Sequence, residues 1–244
     1  MSAVESKRGS EAMATWLSFW ESDNPIYVSA RHRRVHYARV ADDIIAVLPP
    51  DTAAAVLDYG CGEALEAARI AAAVGRLLLF DASRPVRARL AERFRGAANI
   101  TVLDEVALAA EAAASLDLIV VNSVIQYLAR DELAALLARS FDWLKPGAAL
   151  VLADVVPRGS QTAADVKALL ATALRHGFLP AAVIGLVKAA LSDYRHLREQ
   201  AGFGSYGEAE MLALLAQAGF AARRRERNFG FNQARMTFIA TRPG

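Results

Sequence analysis

The sequence contains little cysteine and has little net charge, and each of these absences excludes a class of protein or site. A single cysteine among 244 residues cannot form an internal disulfide and excludes a zinc site built on several thiolates. A formal net charge of +2 is too small, over this length, to indicate a nucleic-acid partner. Because 55% of the residues are hydrophobic, we expect a folded chain with a large core.

Long apolar runs are also missing. The N-terminus shows no apolar segment behind a basic start, so no secretory signal is visible. The most apolar stretch, residues 178–191, contains Lys188 and is shorter than the roughly 20 residues that a membrane span requires. We therefore expect a soluble, cytoplasmic protein.

What the sequence does contain is a regular alternation of short apolar strands with helices. Strands are predicted at residues 54–58, 76–80, 99–103, 116–122 and 148–155. Helices are predicted at residues 65–74, 85–94 and 131–144, the last capped by Asp131. Nearly continuous apolar strands separated by helices are typical of a parallel sheet that is covered on both faces.

The alternation ends after Pro157. Residues 161–200 predict two helices with a break near residues 176–180 and no strand between them. Ser205 has capping-box spacing and begins a further predicted helix, which two last strands follow at residues 221–228 and 235–241. The predicted fold is therefore α/β: a seven-stranded, mostly parallel, doubly wound sheet with helices on both faces, a C-terminal antiparallel strand and a helical lid insertion.

The strongest functional signal is the turn after the first strand, which runs from Asp58 through Gly60 to Gly62, with Asp81 at the end of the next strand. Glycines between a strand and a helix let a ligand approach the backbone, and the helix N-terminus offers free N–H groups. An acid at the next strand end can accept hydrogen bonds from both hydroxyls of a ribose. Asp58, placed before the first glycine, fits a ligand with a cationic amino group better than one with a pyrophosphate.

These residues resemble the motifs of the class I S-adenosylmethionine-dependent methyltransferases. The first motif of that family, Asp/Glu-x-Gly-x-Gly-x-Gly, stands here as residues 58–64, with Ala64 in place of the third glycine. The resemblance continues in order through residues 118–128 and 144–150. It implies S-adenosylmethionine as cofactor and S-adenosylhomocysteine as product. The donor-binding residues that it implies are Asp58, Gly60, Cys61, Gly62, Asp81, Ala82, Asp104, Glu105, Val106, Asn122 and Ser123, with Asp104 to Val106 near the adenine.

Aromatic and basic residues before the first strand add to this set. Enzymes of the family often hold the donor's carboxylate with an N-terminal tyrosine or arginine, so Tyr27, Arg31 and Tyr37 are predicted to do so here. The alternative interpretation is that the basic cluster of Arg33 and Arg34 is a solvated helix face and that Tyr37 packs on the core.

A dinucleotide-dependent oxidoreductase would share this architecture. Its glycine motif calls for a third glycine at position 65, where Leu65 stands, and usually has an apolar residue where Asp58 stands. The sequence therefore favours binding of a methyl donor.

By these changes of pattern we divide residues 1–244, taken as one domain, into five segments. They are a flexible tail (1–15), an N-terminal helical segment (16–50), a donor-binding core (51–157), a helical lid insertion (158–204) and a closing helix with a strand pair (205–244).

The insertion is strongly apolar, which allows two interpretations. Its helices could simply pack on the sheet. They could also form a lid for a bulky hydrophobic or lipid-like acceptor, or make a transient contact with a membrane surface through residues 178–191.

Candidates for a proton acceptor lie near the ends of the fourth and fifth strands. Tyr127 and Asp154 are the predicted catalytic residues, because the amides of Asn122 and Gln126 could only orient an acceptor. No metal site is predicted. The predicted function is methyl transfer to a small, hydrophobic or lipid-like acceptor by a monomer or homodimer, with no nucleic-acid partner. The alternative is a catalytically silent S-adenosylmethionine-binding protein that acts through partners.

Overall fold

The computed structural model describes residues 27–159, 162–191 and 204–244. Its helices are α1 (Ala30–Ile45), α2 (Ala67–Ala71), α3 (Arg84–Arg93), α4 (Glu105–Ala109), α5 (Arg130–Trp143), α6 (Thr162–His176), α7 (Leu179–Leu191) and α8 (Glu208–Gln217). Its strands are β1 (Ala55–Tyr59), β2 (Arg76–Phe80), β3 (Ile100–Val102), β4 (Leu116–Asn122), β5 (Leu144–Val155), β6 (Ala221–Arg224) and β7 (Met236–Thr241). The predicted tail and residues 16–26 of the predicted N-terminal helical segment lie outside the described residues.

The strands form one sheet in the order β3-β2-β1-β4-β5-β7-β6. Strands β1 to β5 are parallel, and β7 runs antiparallel to both of its neighbours, β5 and β6. The chain order reverses between β1 and β4, and ligands of such sheets bind beyond the carboxyl ends of the strands at this switch point. The predicted seven-stranded, mostly parallel sheet with an antiparallel C-terminal strand is confirmed.

Helices cover both faces of the sheet because the central strands are apolar on both sides. Val56 and Val120 lie on the face that α1, α2 and α3 cover. Leu57 and Ile119, which are adjacent to Val56 and Val120 along the strands, lie on the face that α5 and α8 cover. All four side chains are fully buried, which explains why these strands read as continuous apolar runs.

Two predicted helix starts are wrong by a few residues, for the same physical reason. The cap of α5 is Ala129 rather than Asp131, and the Ala129 N–H donates to Glu132 at 2.7 Å. The cap of α8 is Gly207 rather than Ser205, with an equivalent bond to a glutamate three residues further on. A glutamate at the third helical position satisfies the free N–H of the cap, and this bond places each start.

Strand ends also differ from the prediction. β5 begins at Leu144, four residues earlier than predicted, because Leu144 pairs with Leu116 before an irregularity shifts the register. β6 ends at Arg224 instead of continuing to residue 228.

The insertion forms the two predicted helices, α6 and α7, with no strand between them. Ala173, Phe178 and Ala182 are buried there and pack with Val28, which precedes α1. Among the described residues, none of the helices combines the length and the apolar character needed to cross a membrane.

Candidate functional site

A cavity of about 710 Å³ opens at the carboxyl ends of β1, β2 and β4. Its walls come from α1 with the residues before it, the turn after β1, and the residues that follow β2 and β4. The predicted site residues that line it are Tyr27, Tyr37, Asp58, Gly60, Cys61, Gly62, Asp81, Ala82, Asn122, Ser123 and Tyr127. Arg31, Asp104, Glu105, Val106 and Asp154 are not among the residues that line it. The structure thus brings most of the predicted donor-binding residues to one place.

The turn after β1 needs glycine at two positions for both conformational and steric reasons. Gly60 and Gly62 have φ values of 78° and 57°, in the left-handed region. A Cβ on Gly60 would lie 2.2 Å from a methyl group of Val124, and one on Gly62 would lie 2.6 Å from the Tyr37 hydroxyl. Ala64 takes the place of the third family glycine and has a φ of 42°, so the backbone keeps a left-handed conformation there.

Asp58 and Asp81 stand at the two sides of this turn. Asp81 accepts hydrogen bonds from the backbone N–H groups of Gly62 at 3.0 Å and Ser83 at 2.9 Å. Burial raises the pKa of Asp81 in spite of these bonds. Burial, and then the nearby Asp81 charge, raise the pKa of Asp58 to about 7. Two carboxyl groups held in a partly dry cavity favour a ligand that donates hydrogen bonds or carries positive charge.

The wall formed by α1 is aromatic and basic. The rings of Tyr27 and Tyr37 lie 6.0 Å apart, and the Tyr37 hydroxyl accepts a hydrogen bond from the Glu63 N–H at 2.9 Å. Arg33 lines the cavity and pairs with Glu63 at 3.2 Å. Arg31 is exposed and lies near Gly177 in the insertion. The arginine of α1 that lines the cavity is therefore Arg33, whereas the sequence predicted Arg31.

His36 is a cavity residue that the sequence interpretation missed. It lies one turn after Arg33 on the same face of α1, and its ring is 5.4 Å from that of Tyr27. Burial, followed by the effect of His32, lowers the pKa of His36 to about 4, so its imidazole is neutral at pH 7. The three- and four-residue spacing of Arg33, His36, Val40 and Ile44 along α1 is a signal that would have found it.

Residues after β4 form another wall. Asn122, Ser123 and Tyr127 line the cavity, whereas the buried Gln126 turns away and donates to the Ser123 carbonyl oxygen at 2.8 Å. Asp154 lies behind this wall at the end of β5, where its carboxylate accepts a hydrogen bond from the Ser123 hydroxyl at 2.8 Å.

The predicted adenine residues after β3 have other contacts. Asp104 caps α4, where its carboxylate accepts from the Ala107 N–H at 2.8 Å. Glu105 pairs with Arg87 at 2.7 Å, and the Val106 side chain is 78% exposed. None of the three lines the cavity, so their contacts with the adenine stay a prediction.

Cys61 is buried in the glycine turn. Burial raises the pKa of its thiol well above the usual range, which keeps it protonated. A thiol in this state is a packing residue rather than a nucleophile. In the described ranges, no three His, Cys, Asp or Glu side chains are placed to hold a metal ion.

One family model matches the central part of the sequence. Residues 56–147, which run from β1 into β5, match the model of a family described as a methyltransferase domain. No curated protein matches the sequence.

Solved structures share the fold at low sequence identity. A possible exported protein from Bordetella parapertussis has a TM-score of 0.59 at 21% identity, over 87% of this chain and 68% of that one. The mitomycin 7-O-methyltransferase MmcR has a TM-score of 0.58 at 19% identity, over 88% and 56%. A phosphoethanolamine N-methyltransferase from Haemonchus contortus, solved with phosphoethanolamine and S-adenosylhomocysteine, has a TM-score of 0.52 at 21% identity, over 64% and 34%. The chain spans about half the length of the mitomycin methyltransferase and about a third of the length of the phosphoethanolamine methyltransferase.

The strand order and the glycine turn between two acids agree with the methyltransferase-domain match. Residues 56–147 therefore match a methyltransferase domain, within a fold that solved methyltransferases share, as the resemblance predicted.

Proposed function

We propose that this protein binds S-adenosylmethionine in the cavity, transfers its methyl group to a small acceptor and releases S-adenosylhomocysteine. The observation that carries the proposal is the placement of Asp58 and Asp81 on either side of the glycine turn. In this proposal Asp81 accepts hydrogen bonds from the ribose hydroxyls, and Asp58 faces the cationic end of the donor. A cavity of about 710 Å³ is within the usual range for sites that enclose a whole small molecule.

The residues of the chain align the acceptor and exclude water. The bound donor supplies an electrophilic methyl group on a sulfonium, and orientation of the two reactants contributes on the order of 7–11 kcal/mol to such a reaction. Tyr27 and α1 cover one side of the cavity, and Tyr127 faces it from the other. We assign Tyr127 to hold and orient the acceptor with its phenol group.

The proposed acceptor is small and largely apolar. Val28, Val40, Val124 and Leu128 contribute apolar surface to the cavity, and the neutral His36 adds one polar ring. A polymer such as a nucleic acid would instead require an open, strongly basic surface.

Calorimetric titration with S-adenosylhomocysteine tests the donor site, and the proposal predicts saturable binding. Incubation with labelled S-adenosylmethionine and a cell extract then tests turnover. A labelled small molecule that depends on the protein supports the enzyme. Binding without any labelled product supports the catalytically silent alternative, and no binding at all contradicts both.

We also propose that α7 makes transient contact with an anionic membrane surface. Val183, Ile184 and Val187 are 48%, 57% and 53% exposed on this helix. The exposed side chains of Lys167, Arg175 and Lys188 on α6 and α7 would complement anionic headgroups.

Co-sedimentation with phosphatidylserine vesicles tests this contact. Wild-type protein and a Val106→Glu control, which changes an exposed apolar residue elsewhere, should both sediment with the vesicles. Ile184→Glu should remain in the supernatant. Equal sedimentation of both variants, or no sedimentation of the wild type, contradicts the proposal.

A further inference from the structure

Ser123 and Asp154 share an unusual backbone conformation at the ends of two neighbouring strands. Ser123 follows β4, Asp154 is near the end of β5, and both have a φ of 58°. The left-handed region costs a non-glycine residue on the order of 1–3 kcal/mol, and such residues cluster at functional sites. The surrounding structure maintains both conformations through hydrogen bonds.

Hydrogen bonds hold the backbone and the hydroxyl hydrogen of Ser123 and both carboxylate oxygens of Asp154. The Ser123 N–H donates to the Ala153 carbonyl at 3.1 Å, and its own carbonyl accepts from Gln126 at 2.8 Å. The Ser123 hydroxyl donates to Asp154 Oδ2 at 2.8 Å, and Asp154 Oδ1 accepts from the Asn228 amide at 3.3 Å. The Ser123 hydroxyl oxygen can still accept a hydrogen bond, and Ser123 lines the cavity.

Further bonds hold Asp154 itself. The Asn228 side-chain oxygen accepts from the Asp154 N–H at 3.2 Å and from the Thr237 hydroxyl at 2.7 Å. Asn228 and Thr237 are both buried. Asp154 therefore cannot rotate without breaking a buried network, and it directs the Ser123 hydroxyl hydrogen away from the cavity.

A hydroxyl that has donated its hydrogen can recognise only a group that donates a hydrogen bond. S-Adenosylmethionine carries such groups at its ribose, its adenine and its ammonium. The ribose is assigned to Asp81, beyond β2, whereas Ser123 lies beyond β4, and β4 pairs directly with β1 through Tyr59 and Val121. Ser123 is thus on the Asp58 side of the cavity, where the cationic end of the donor is placed.

We infer that the Ser123 hydroxyl accepts a hydrogen bond from the donor's ammonium group, and that Asp154 is a positioning residue that orients this hydroxyl. The inference rests on the proposed function, since it requires the donor to occupy the cavity. It gives Asp154, which was predicted from sequence as a proton acceptor, an indirect role.

Two ligands measured by calorimetry test this inference. S-Adenosylhomocysteine carries the ammonium, and 5′-methylthioadenosine shares the nucleoside but lacks the amino-acid end. Ser123→Ala and Asp154→Ala should each lower the affinity for S-adenosylhomocysteine about tenfold, because a hydrogen bond to a charged group is lost or misaligned. The affinity for 5′-methylthioadenosine should not change.

The double variant distinguishes action through Ser123 from an independent effect. If Asp154 acts only through Ser123, the double variant binds S-adenosylhomocysteine no more weakly than Ser123→Ala alone. Should Asp154→Ala fail to fold, Asp154→Asn replaces it, since the new amide N–H can donate to Ser123 and turn its hydrogen into the cavity, which again weakens binding.

Three results would overturn the inference. They are unchanged affinity for S-adenosylhomocysteine in either variant, an equal loss for both ligands, and additive losses in the double variant. Binding of 5′-methylthioadenosine to the wild type keeps the proposed donor site in place even then. Failure of the wild type to bind either ligand overturns the proposed function as well.

Discussion

The hydroxyl of Tyr37 accepts a hydrogen bond from the Glu63 backbone N–H at 2.9 Å and occupies the space where Gly62 lacks a side chain. This contact joins α1 to the glycine turn, two parts of the chain that are far apart in sequence. Burial raises the pKa of Tyr37 to about 12, so the phenol keeps its proton at all ordinary pH values. The shape of the proposed donor site therefore depends on α1 as well as on the glycine motif.

Gly62→Ala should disrupt this contact. The new Cβ would lie 2.6 Å from the Tyr37 hydroxyl at a φ of 57°, so both a collision and backbone strain result. We expect the unfolding free energy to fall by about 2 kcal/mol or more and the affinity for S-adenosylhomocysteine to fall strongly. Urea unfolding and calorimetry measure the two effects.

Gly96→Ala is the matched control for that variant. Gly96 has a φ of 80°, but no atom lies within 4 Å of a Cβ placed there. This substitution should lower the unfolding free energy only by the cost of placing an alanine in the left-handed region, about 1 kcal/mol. It should leave the affinity for S-adenosylhomocysteine unchanged. Equal effects from the two variants would show that the Tyr37 contact has no special role.

Asp81→Asn should weaken binding of S-adenosylhomocysteine by at least about tenfold. The carboxylate of Asp81 lines the cavity, and an amide can offer only one acceptor oxygen to the two ribose hydroxyls. Asp104→Asn is the control, because Asp104 is exposed and caps α4 outside the cavity. Titration of both variants decides between the cavity and the loop after β3 as the place of binding. A loss confined to Asp104→Asn would contradict the assignment.

The raised pKa of Asp58 predicts a specific dependence of stability on pH. Its pKa is about 7 in the folded chain against an ordinary 3.8, so between these values the folded state binds more protons than the unfolded state. The contribution of protonated Asp58 to the stability of the fold is fully present below the lower pKa. It is lost as the pH rises through about 7.

Unfolding in urea between pH 4 and pH 8 tests this dependence. As the pH rises, the unfolding free energy of the wild type should fall relative to that of Asp58→Asn, by at most about 1.4 kcal/mol per pH unit. Asp81 and Asp154 also have raised pKa values but are present in both proteins, so the difference reports on Asp58. Parallel curves for the two proteins would rule out the assignment.

Asp165→Asn should loosen the insertion from the sheet. Arg235 donates to both Asp165 oxygens at 3.0 Å, and the Arg235 side chain is only 12% exposed. Loss of this pair should cost about 1–3 kcal/mol of unfolding free energy. Glu92→Gln, which removes the exposed pair of Glu92 with Arg95, should cost less than about 1 kcal/mol. Equal costs in urea unfolding would contradict the anchoring role of Asp165.

Much of the fold could be predicted because it depends on local patterns. The apolar strand from Val56, the glycine turn and the acid at position 81 each follow from a few neighbouring residues. The local patterns did not indicate contacts that depend on how the elements pack. Arg33 rather than Arg31 faces the cavity, because the direction of an α1 side chain depends on how the whole helix rotates against the sheet. Asp104 caps the helix that follows β3, a contact that its place in the sequence did not indicate, and its donor contact stays a prediction.

The amino-acid sequence alone determined the order of strands and helices and the positions of Asp58, the two glycines and Asp81, because period, turn chemistry and strand ends are properties of short segments. Only the tertiary structure decided that the Tyr37 hydroxyl closes on Gly62 and that Asp154, outside the cavity wall, contacts Ser123. Tyr37 and Gly62 are 25 positions apart in the sequence, and Ser123 and Asp154 are 31 positions apart. Their geometry arises from the packing of helices and strands against one another, which no local pattern encodes.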